Sequence, residues 1–202
     1  MKFNTNKLEG VKVSPIFENE NYDSKLLEYT KSKELFIGKF NEIYVNLPYN
    51  GEKEILIGLG KRNELEEDQV REVFFKLVKV LAKHKEFEAQ ITLPKLDNTP
   101  TQNLVNAAVE GALHATYKFD KYKSDRKDFP EITINLATEE KIDNIEDIVN
   151  EAFDIISGIF FARDLVNERA EYLYPETLAN IASEELSALG VEVEVYDEKQ
   201  CE

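Results

Sequence analysis

Ile55-Leu56-Ile57-Gly58-Leu59-Gly60 is the stretch on which the fold turns. None of its six residues has a polar side chain, so a strand built from them can offer neither face to water. Such a strand belongs inside a sheet that is covered on both sides. A few residues on, the period changes. Between Glu67 and Lys83, Val70, Val73, Phe74, Leu77, Val78 and Leu81 recur at helical spacing, and Arg71, Glu72, Lys76, Lys79 and Lys83 take the opposite face. Glu67 and Asp68 open this segment and Lys83 closes it, as the helix dipole prefers. A buried strand feeding an amphipathic helix is the unit of a layered α/β domain.

The flanking sequence repeats the theme. Val11-Lys12-Val13-Ser14-Pro15-Ile16, Phe36-Ile37-Gly38 and Ile43-Tyr44-Val45-Asn46-Leu47 read as strands, with a short helix over Ser24–Tyr29 between the first two. Ala89–Leu93 is a strand ended by Pro94, and Ile132–Leu136 is another. Thr101 is placed to cap a helix running through Leu104, Val105, Ala108, Ala112 and Leu113. Ala107, Ala108, Gly111 and Ala112 would let that helix lie close to a sheet.

From Ile142 the pattern lengthens. Ile145, Ile148, Val149, Ala152, Phe153, Ile156, Ile159 and Phe160 keep helical spacing, with no proline before Pro175. A helix reaching Glu168 would be about 40 Å long at ~1.5 Å per residue, which suits a link between two bodies. Pro175 then opens a helix through Leu178, Ile181, Ala182, Leu186 and Leu189, stopped by Gly190. Val191, Val193 and Val195 alternate with Glu192, Glu194 and Tyr196, which predicts one half-buried strand. A lone αβ unit of this kind presents a raw sheet edge and reads as an unfinished second domain that self-associates.

Composition narrows the function. The 202 residues carry 25 basic and 40 acidic side chains, a net charge of -15, which argues against general binding to nucleic acid or to anionic lipid. Residues 151–202 hold 3 of the basic and 13 of the acidic groups, a solvated acidic face without the Asp-x-Asp-x-Asp loop of a calcium site. No apolar run approaches the ~20 residues of a membrane span. Met1-Lys2-Phe3-Asn4-Thr5-Asn6 lacks the apolar stretch of a signal peptide, and the single cysteine, Cys201, excludes an internal disulfide. A cytoplasmic chain with no membrane partner is expected. With two histidines, His84 and His114, on separate helices, no metal-ligand set is visible.

Three segments invite chemistry. Gly58-Leu59-Gly60-Lys61-Arg62 sits between strand and helix like a phosphate cradle, but it lacks the third glycine of a dinucleotide loop and the spacing of a P-loop, so it reads as a tight strand exit. Within Glu110–Ser124, the run Tyr117-Lys118-Phe119-Asp120-Lys121-Tyr122-Lys123 interleaves aromatics and lysines. That pattern suits single-stranded nucleic acid, or packed rings beside solvated lysines, and the overall charge favours the second. Arg163, Asp164, Asn167 and Glu168 crowd a helix end before a Pro-led helix. They supply no nucleophile with an oriented base, which suits a structural corner. No catalytic, cofactor-binding or metal-binding residue is assigned from the chain itself.

Ala162-Arg163-Asp164-Leu165-Val166-Asn167-Glu168 followed by Pro175-Glu176-Thr177-Leu178-Ala179 strongly resembles the start of the catalytic domain of the leucine aminopeptidase (cytosol aminopeptidase) family. Gly58-Leu59-Gly60-Lys61-Arg62-Asn63-Glu64-Leu65 and Glu110–Ser124 resemble segments of its N-terminal domain, in the same order, so the resemblance covers roughly residues 10 to 202. Where the family has Asn-Glu-Pro-Ala-Asn, this chain has Asn167-Glu168-Arg169-Ala170-Glu171, and the family's Asn-Thr-Asp-Ala-Glu-Gly-Arg signature is not in it.

The resemblance implies a macro-domain-like, three-layer α/β/α N-terminal domain with a mixed sheet over residues 1–141. A linking helix over 142–169 and the truncated start of the catalytic domain over 170–202 would follow. It implies a parent that removes N-terminal residues, leucine among them, from peptides. Two divalent ions, zinc or manganese, would be held in the missing domain, and sister subunits would form a homo-hexamer. No functional residue carries over, so the chain alone is expected to be inactive and to serve assembly and access to the active site. Two other readings are a free-standing module for ADP-ribose or another nucleotide, and a partner protein of a complete aminopeptidase.

Overall fold

A computed structural model describes residues 1–5 and 7–201; Asn6 and Glu202 lie outside the described residues. The chain divides into two units, one from Met1 to Gly158 and one from Ile159 onward.

The first unit is built on a six-stranded sheet. Its strands are β1 (Lys2–Asn4), β2 (Val11–Phe17), β3 (Ile43–Asn46), β4 (Glu54–Gly60), β5 (Glu88–Leu93) and β6 (Thr133–Thr138). They lie in the order β1-β6-β5-β2-β4-β3, all parallel except β3, which runs antiparallel to β4. The strand expected at Ile55–Gly60 is β4, and Ile55, Leu56 and Ile57 are wholly buried, as a strand without a polar face must be.

Register assigns the faces. Val13 lies opposite Ile55 and Ile91, and Ala89 opposite Ile134. One face therefore carries a continuous buried set from Val11, Val13, Ile55, Ile57, Ala89, Ile91, Ile134 and Leu136. Helices α2 (Glu67–His84) and α3 (Thr101–His114) cover it, with Val70, Phe74 and Leu104 gathered over Ile57 and Leu59. Phe3 of β1, opposite Ile134, meets Phe153 edge-on at 6.1 Å, which anchors the first part of α4 (Ile145–Asn167). On the second face Ile16 and Leu56 pack with Phe36 and with Leu27 of α1 (Lys25–Ser32), the helix expected over Ser24–Tyr29, with Ser24 as its N-cap. Toward β5, β6 and β1 this face turns polar. Gln90, Asn135 and Asn4 stand there, with Asn4 donating to Asn135 Oδ1 at 2.9 Å and Asn135 donating to the Glu9 carbonyl at 2.7 Å.

Four local expectations are corrected. Phe36-Ile37-Gly38 is not a strand. Phe36 is buried, but the backbone N–H groups of Ile37, Gly38 and Lys39 donate to one carboxylate oxygen of Glu42 at 3.0–3.1 Å, so their donors never enter a ladder. Thr101 is the first residue of α3 and not its cap. Pro100 holds the cap position without a side-chain bond, and the Thr101 hydroxyl donates to Glu140 at 2.8 Å. One of the small residues of α3, Gly111, also serves a different neighbour. A Cβ on Gly111 would stand 2.2 Å from the Arg71 carbonyl oxygen, so the close approach is to α2 and not to the sheet. The fourth correction falls in the second unit.

That unit contains the end of α4 and helix α5 (Pro175–Ala188). Pro175 occupies the first turn of α5, and the Tyr174 N–H donates to Thr177 Oγ1 at 2.9 Å. Gly190, at φ +79°, ends the helix. Its N–H reaches the Ser187 carbonyl at 3.0 Å and the Val191 N–H reaches that of Leu186 at 3.0 Å, the paired bonds of a left-handed C-terminal stop. The expected strand at Val191–Val195 does not form. Alternation alone gives a strand nothing to bond to, and both Val191 and Val195 are exposed. No residue of α5 is buried, while Leu178, Leu186 and Leu189 are exposed apolar side chains. No helix among the described residues is long and apolar enough to cross a membrane.

Candidate functional site

In an open parallel sheet the connections beyond the strands' carboxyl ends are where ligands collect. Here those ends are Phe17, Gly60, Leu93 and Thr138, and the segments leaving them are tied together through one arginine. Arg62 lies in a single tight turn, Arg62–Glu64, after β4. Its Nε donates to Glu20 Oε1 at 2.7 Å and its Nη2 to Glu20 Oε2 at 3.0 Å, a two-pronged grip on the segment after β2. Its Nη1 donates to the Lys95 carbonyl at 2.8 Å, on the segment after β5. The guanidinium centre sits 4.1 Å from the Phe17 ring centroid.

Tyr22 completes the cluster. Its hydroxyl accepts the Phe17 N–H at 2.8 Å and donates to Glu20 at 3.2 Å. Burial, with the Glu20 charge adding to it, pushes the phenol up to about 12. The hydrogen bond from Arg62 holds the Glu20 carboxyl below its usual range against the opposing effect of burial, and the same bond raises Arg62. The last connection joins through Glu139, whose carboxylate accepts the Lys95 N–H at 2.8 Å.

Beside this cluster, on the polar part of the second sheet face, lies a groove of about 390 Å³. Tyr22, Asp23 and Arg62 are among its lining residues, with Ser14, Gln90 and Thr92. A larger depression of about 1090 Å³ opens at the strands' amino ends. Four of its five carboxylates are already paired there: Glu54 with Lys12, Glu86 with Lys53, Glu88 with Lys7 and Glu131 with Lys2.

The segments singled out in the sequence resolve as follows. Gly58–Arg62 is a strand exit. The Gly58 N–H donates to the Glu42 carbonyl at 2.8 Å and the Gly60 N–H to that of Gly38 at 3.0 Å, so neither amide is left for a phosphate. A Cβ on Gly58 would fall 2.0 Å from the Lys39 carbonyl oxygen, and Gly60 turns at φ +73°, so packing and the turn account for both glycines. Beyond α3, Phe119 meets Tyr122 edge-on at 6.1 Å, and Lys118 bonds Asp120 and the Lys127 carbonyl, so rings and lysines satisfy one another locally.

Arg163, Asp164, Asn167 and Glu168 lie at the end of α4 and just past it. Asn167 donates to the Arg163 carbonyl at 2.8 Å, and Glu168 accepts the Arg169 N–H at 2.9 Å, the bonds of a corner. His84 and His114 are the last residues of α2 and α3. Cys201 is exposed. Among the described residues no three histidine, cysteine, aspartate or glutamate side chains gather as a metal site. The Glu20–Tyr22–Arg62 cluster escaped sequence reasoning. The sequence drew attention to Gly58–Arg62 for its glycines, and nothing local ties Arg62 to an acid 42 positions upstream.

Comparison with known proteins is consistent across this architecture. The model of "Cytosol aminopeptidase family, N-terminal domain" matches residues 8–126. A probable cytosol aminopeptidase of Treponema denticola is 44% identical over 203 residues, covering 100% of this chain and 42% of its own length. One from Clostridium tetani is 35% identical over 206 residues, covering 99% and 43%. The chain thus spans less than half the length of these curated relatives. Among solved structures, a mutant of tomato leucine aminopeptidase superposes with a TM-score of 0.80 at 16% identity, over 100% of this chain and 45% of that one. The bottromycin maturation enzyme BotP gives 0.71 at 19%, over 91% and 38%. At such identities the superpositions show a shared fold alone.

Proposed function

We propose a role for this chain from one premise: it belongs to the cytosol aminopeptidase family, whose N-terminal domain it carries. The role is that of the non-catalytic N-terminal portion of a metal-dependent leucyl aminopeptidase. The parent removes N-terminal residues from peptides, and this portion serves subunit assembly and access to the active site. The observation that carries the reading is the asymmetric coverage, in which the whole chain aligns to 42% of a relative. The second unit supports it, because a helix with no buried residue and an unpaired Val191–Val195 segment are what the first αβ unit of a larger domain offers before its neighbours are present.

In this reading two divalent ions, zinc or manganese, would be held by residues beyond this chain and would supply Lewis-acid chemistry there. Among the described residues no donor set fits such a pair, so no catalytic step is assigned to them. Further parts of the proposal are a macro-domain-like first unit, a homo-hexamer with sister subunits and a cytoplasmic location.

The test compares two polypeptides for hydrolysis of a leucine anilide with manganese or zinc present. One is the 202-residue chain; the other is the same chain extended by the remainder of its reading frame. Activity confined to the extended form is expected. Hydrolysis by the 202-residue chain, or an extended frame without a metal-binding domain, overturns the proposal.

A further inference from the structure

The groove beside Arg62 holds more bonding capacity than the fold consumes. A guanidinium has five N–H donors, and three of those on Arg62 are spent, two on Glu20 and one on the Lys95 carbonyl. Two remain, on a side chain that is 39% exposed and lines the groove. The other charges of the lining are committed internally. Lys12 pairs with Glu54 at 3.0 Å, Ser14 donates to Glu54 at 2.5 Å, and Glu139 takes the Lys95 N–H. Asp23 is the exception. It is exposed, lines the same groove, and has no hydrogen-bond or ion-pair partner among the described residues. After internal pairing the groove therefore presents one guanidinium edge, one unpartnered carboxylate, and an apolar flank from Leu8 and Pro94.

We infer that this groove binds a small zwitterion with an apolar side chain: a free amino acid such as leucine, or a dipeptide of the same kind. Its carboxylate takes the two spare N–H groups of Arg62, its ammonium takes Asp23, and its side chain lies toward Leu8 and Pro94. The guanidinium is oriented before any ligand arrives, because Phe17 stacks on it and Glu20 clamps its far edge, so little side-chain freedom is lost on binding. The volume, about 390 Å³, is of the size that small ligands occupy. The inference rests on the groove alone. Should the aminopeptidase reading hold as well, the ligand is of the class that such an enzyme releases, and the site is one for product.

The experiment is a calorimetric and NMR titration of the full 202-residue chain with L-leucine and with leucyl-leucine. Leucinamide, which lacks the carboxylate, and N-acetyl-leucine, which lacks the ammonium, are the controls. Saturable binding of L-leucine or of the dipeptide is expected, with shifts at Thr92 and at the Arg62 Nε–H. Whichever of the two binds more tightly identifies the source. Each control, and each of Arg62→Lys and Asp23→Asn, should weaken binding at least about tenfold, roughly the loss of one charged hydrogen bond. Asp23→Asn removes no contact that the fold uses, so its result stands even if Arg62→Lys unfolds the chain. Absence of saturable binding, or binding unchanged by Asp23→Asn and equal for leucinamide, overturns the inference. The chain tested here is the one assigned no catalytic residue, so this result is independent of whether the extended protein hydrolyses peptides.

Discussion

Two glycines in helices should respond to the same substitution with opposite signs. In isolation Gly→Ala within a helix stabilises by about 0.8–1 kcal/mol, because alanine restricts the unfolded chain and prefers the helix. At Gly158 of α4 nothing lies within 4 Å of the added Cβ, so Gly158→Ala should realise most of that gain. At Gly111 of α3 the Cβ would lie 2.2 Å from the Arg71 carbonyl oxygen and 2.7 Å from its carbonyl carbon, both backbone atoms of α2. To restore ordinary contact the helices must part by about 1 Å, a gap at which packed atoms forfeit a quarter to a half of their dispersion energy. They do so over the best-packed part of the molecule, where Val105, Ala107, Ala108, Val109 and Ala112 of α3 are wholly buried. Overpacking of this kind costs about 1–3 kcal/mol, so after the helix gain the net effect of Gly111→Ala should be a loss of up to about 2 kcal/mol. Thermal unfolding followed by circular dichroism reads the difference at about 2–4 °C per kcal/mol for a chain of this size. A melting temperature for Gly111→Ala equal to or above wild type would refute the close approach of α3 to α2.

Glu42→Ala removes the acceptor of three backbone N–H groups and should cost about 1–3 kcal/mol in urea unfolding; a loss within error would show that water replaces the carboxylate. The fold raises Tyr22 from 10.0 to about 12, so its contribution is fully present below pH ~10 and lost as pH rises to about 12. Stability of the wild type should therefore fall between those values, and Tyr22→Phe should flatten the fall; equal slopes in both proteins would remove burial as the cause. For Glu20 the sign reverses. Its folded value lies below 4.5, so its contribution is present above about pH 4.5 and lost as pH falls through the folded value. Glu20→Gln should lower stability near neutrality and narrow the gap to wild type in acid, as measured by urea midpoints across that range.

The elements legible in the sequence were those whose hydrophobic period is set by burial against something already present in the chain. Glu67–His84 and the strand at Ile55 belong to this class, because the covering helix and the covered strand are both local to the first unit. Val191–Val195 has a strand's alternation without a neighbour to bond, and alternation records only which face a strand would bury. Phe36–Gly38 misled for a different reason. Burial of Phe36 reads the same whether its neighbours' amides go to a strand or to Glu42. The groove was the least legible feature, since it draws on residues from Leu8 to Glu139, and Arg62 gains its partner only when two parallel strands are set side by side.

The pairing of β1 with β6 places constraints on synthesis as well as on the folded sheet. Asn4 must find Asn135, 131 positions later in the chain. At translation rates of about 5–20 residues per second, the first residues wait roughly 6–26 s before their partner strand has even been made. Strands β2 to β5 can pair among themselves in that interval and leave the β5 edge open for β6. Strand β1 thus stands unpaired while the strands between it and β6 can already form a sheet, which makes it accessible to co-translational factors in that interval.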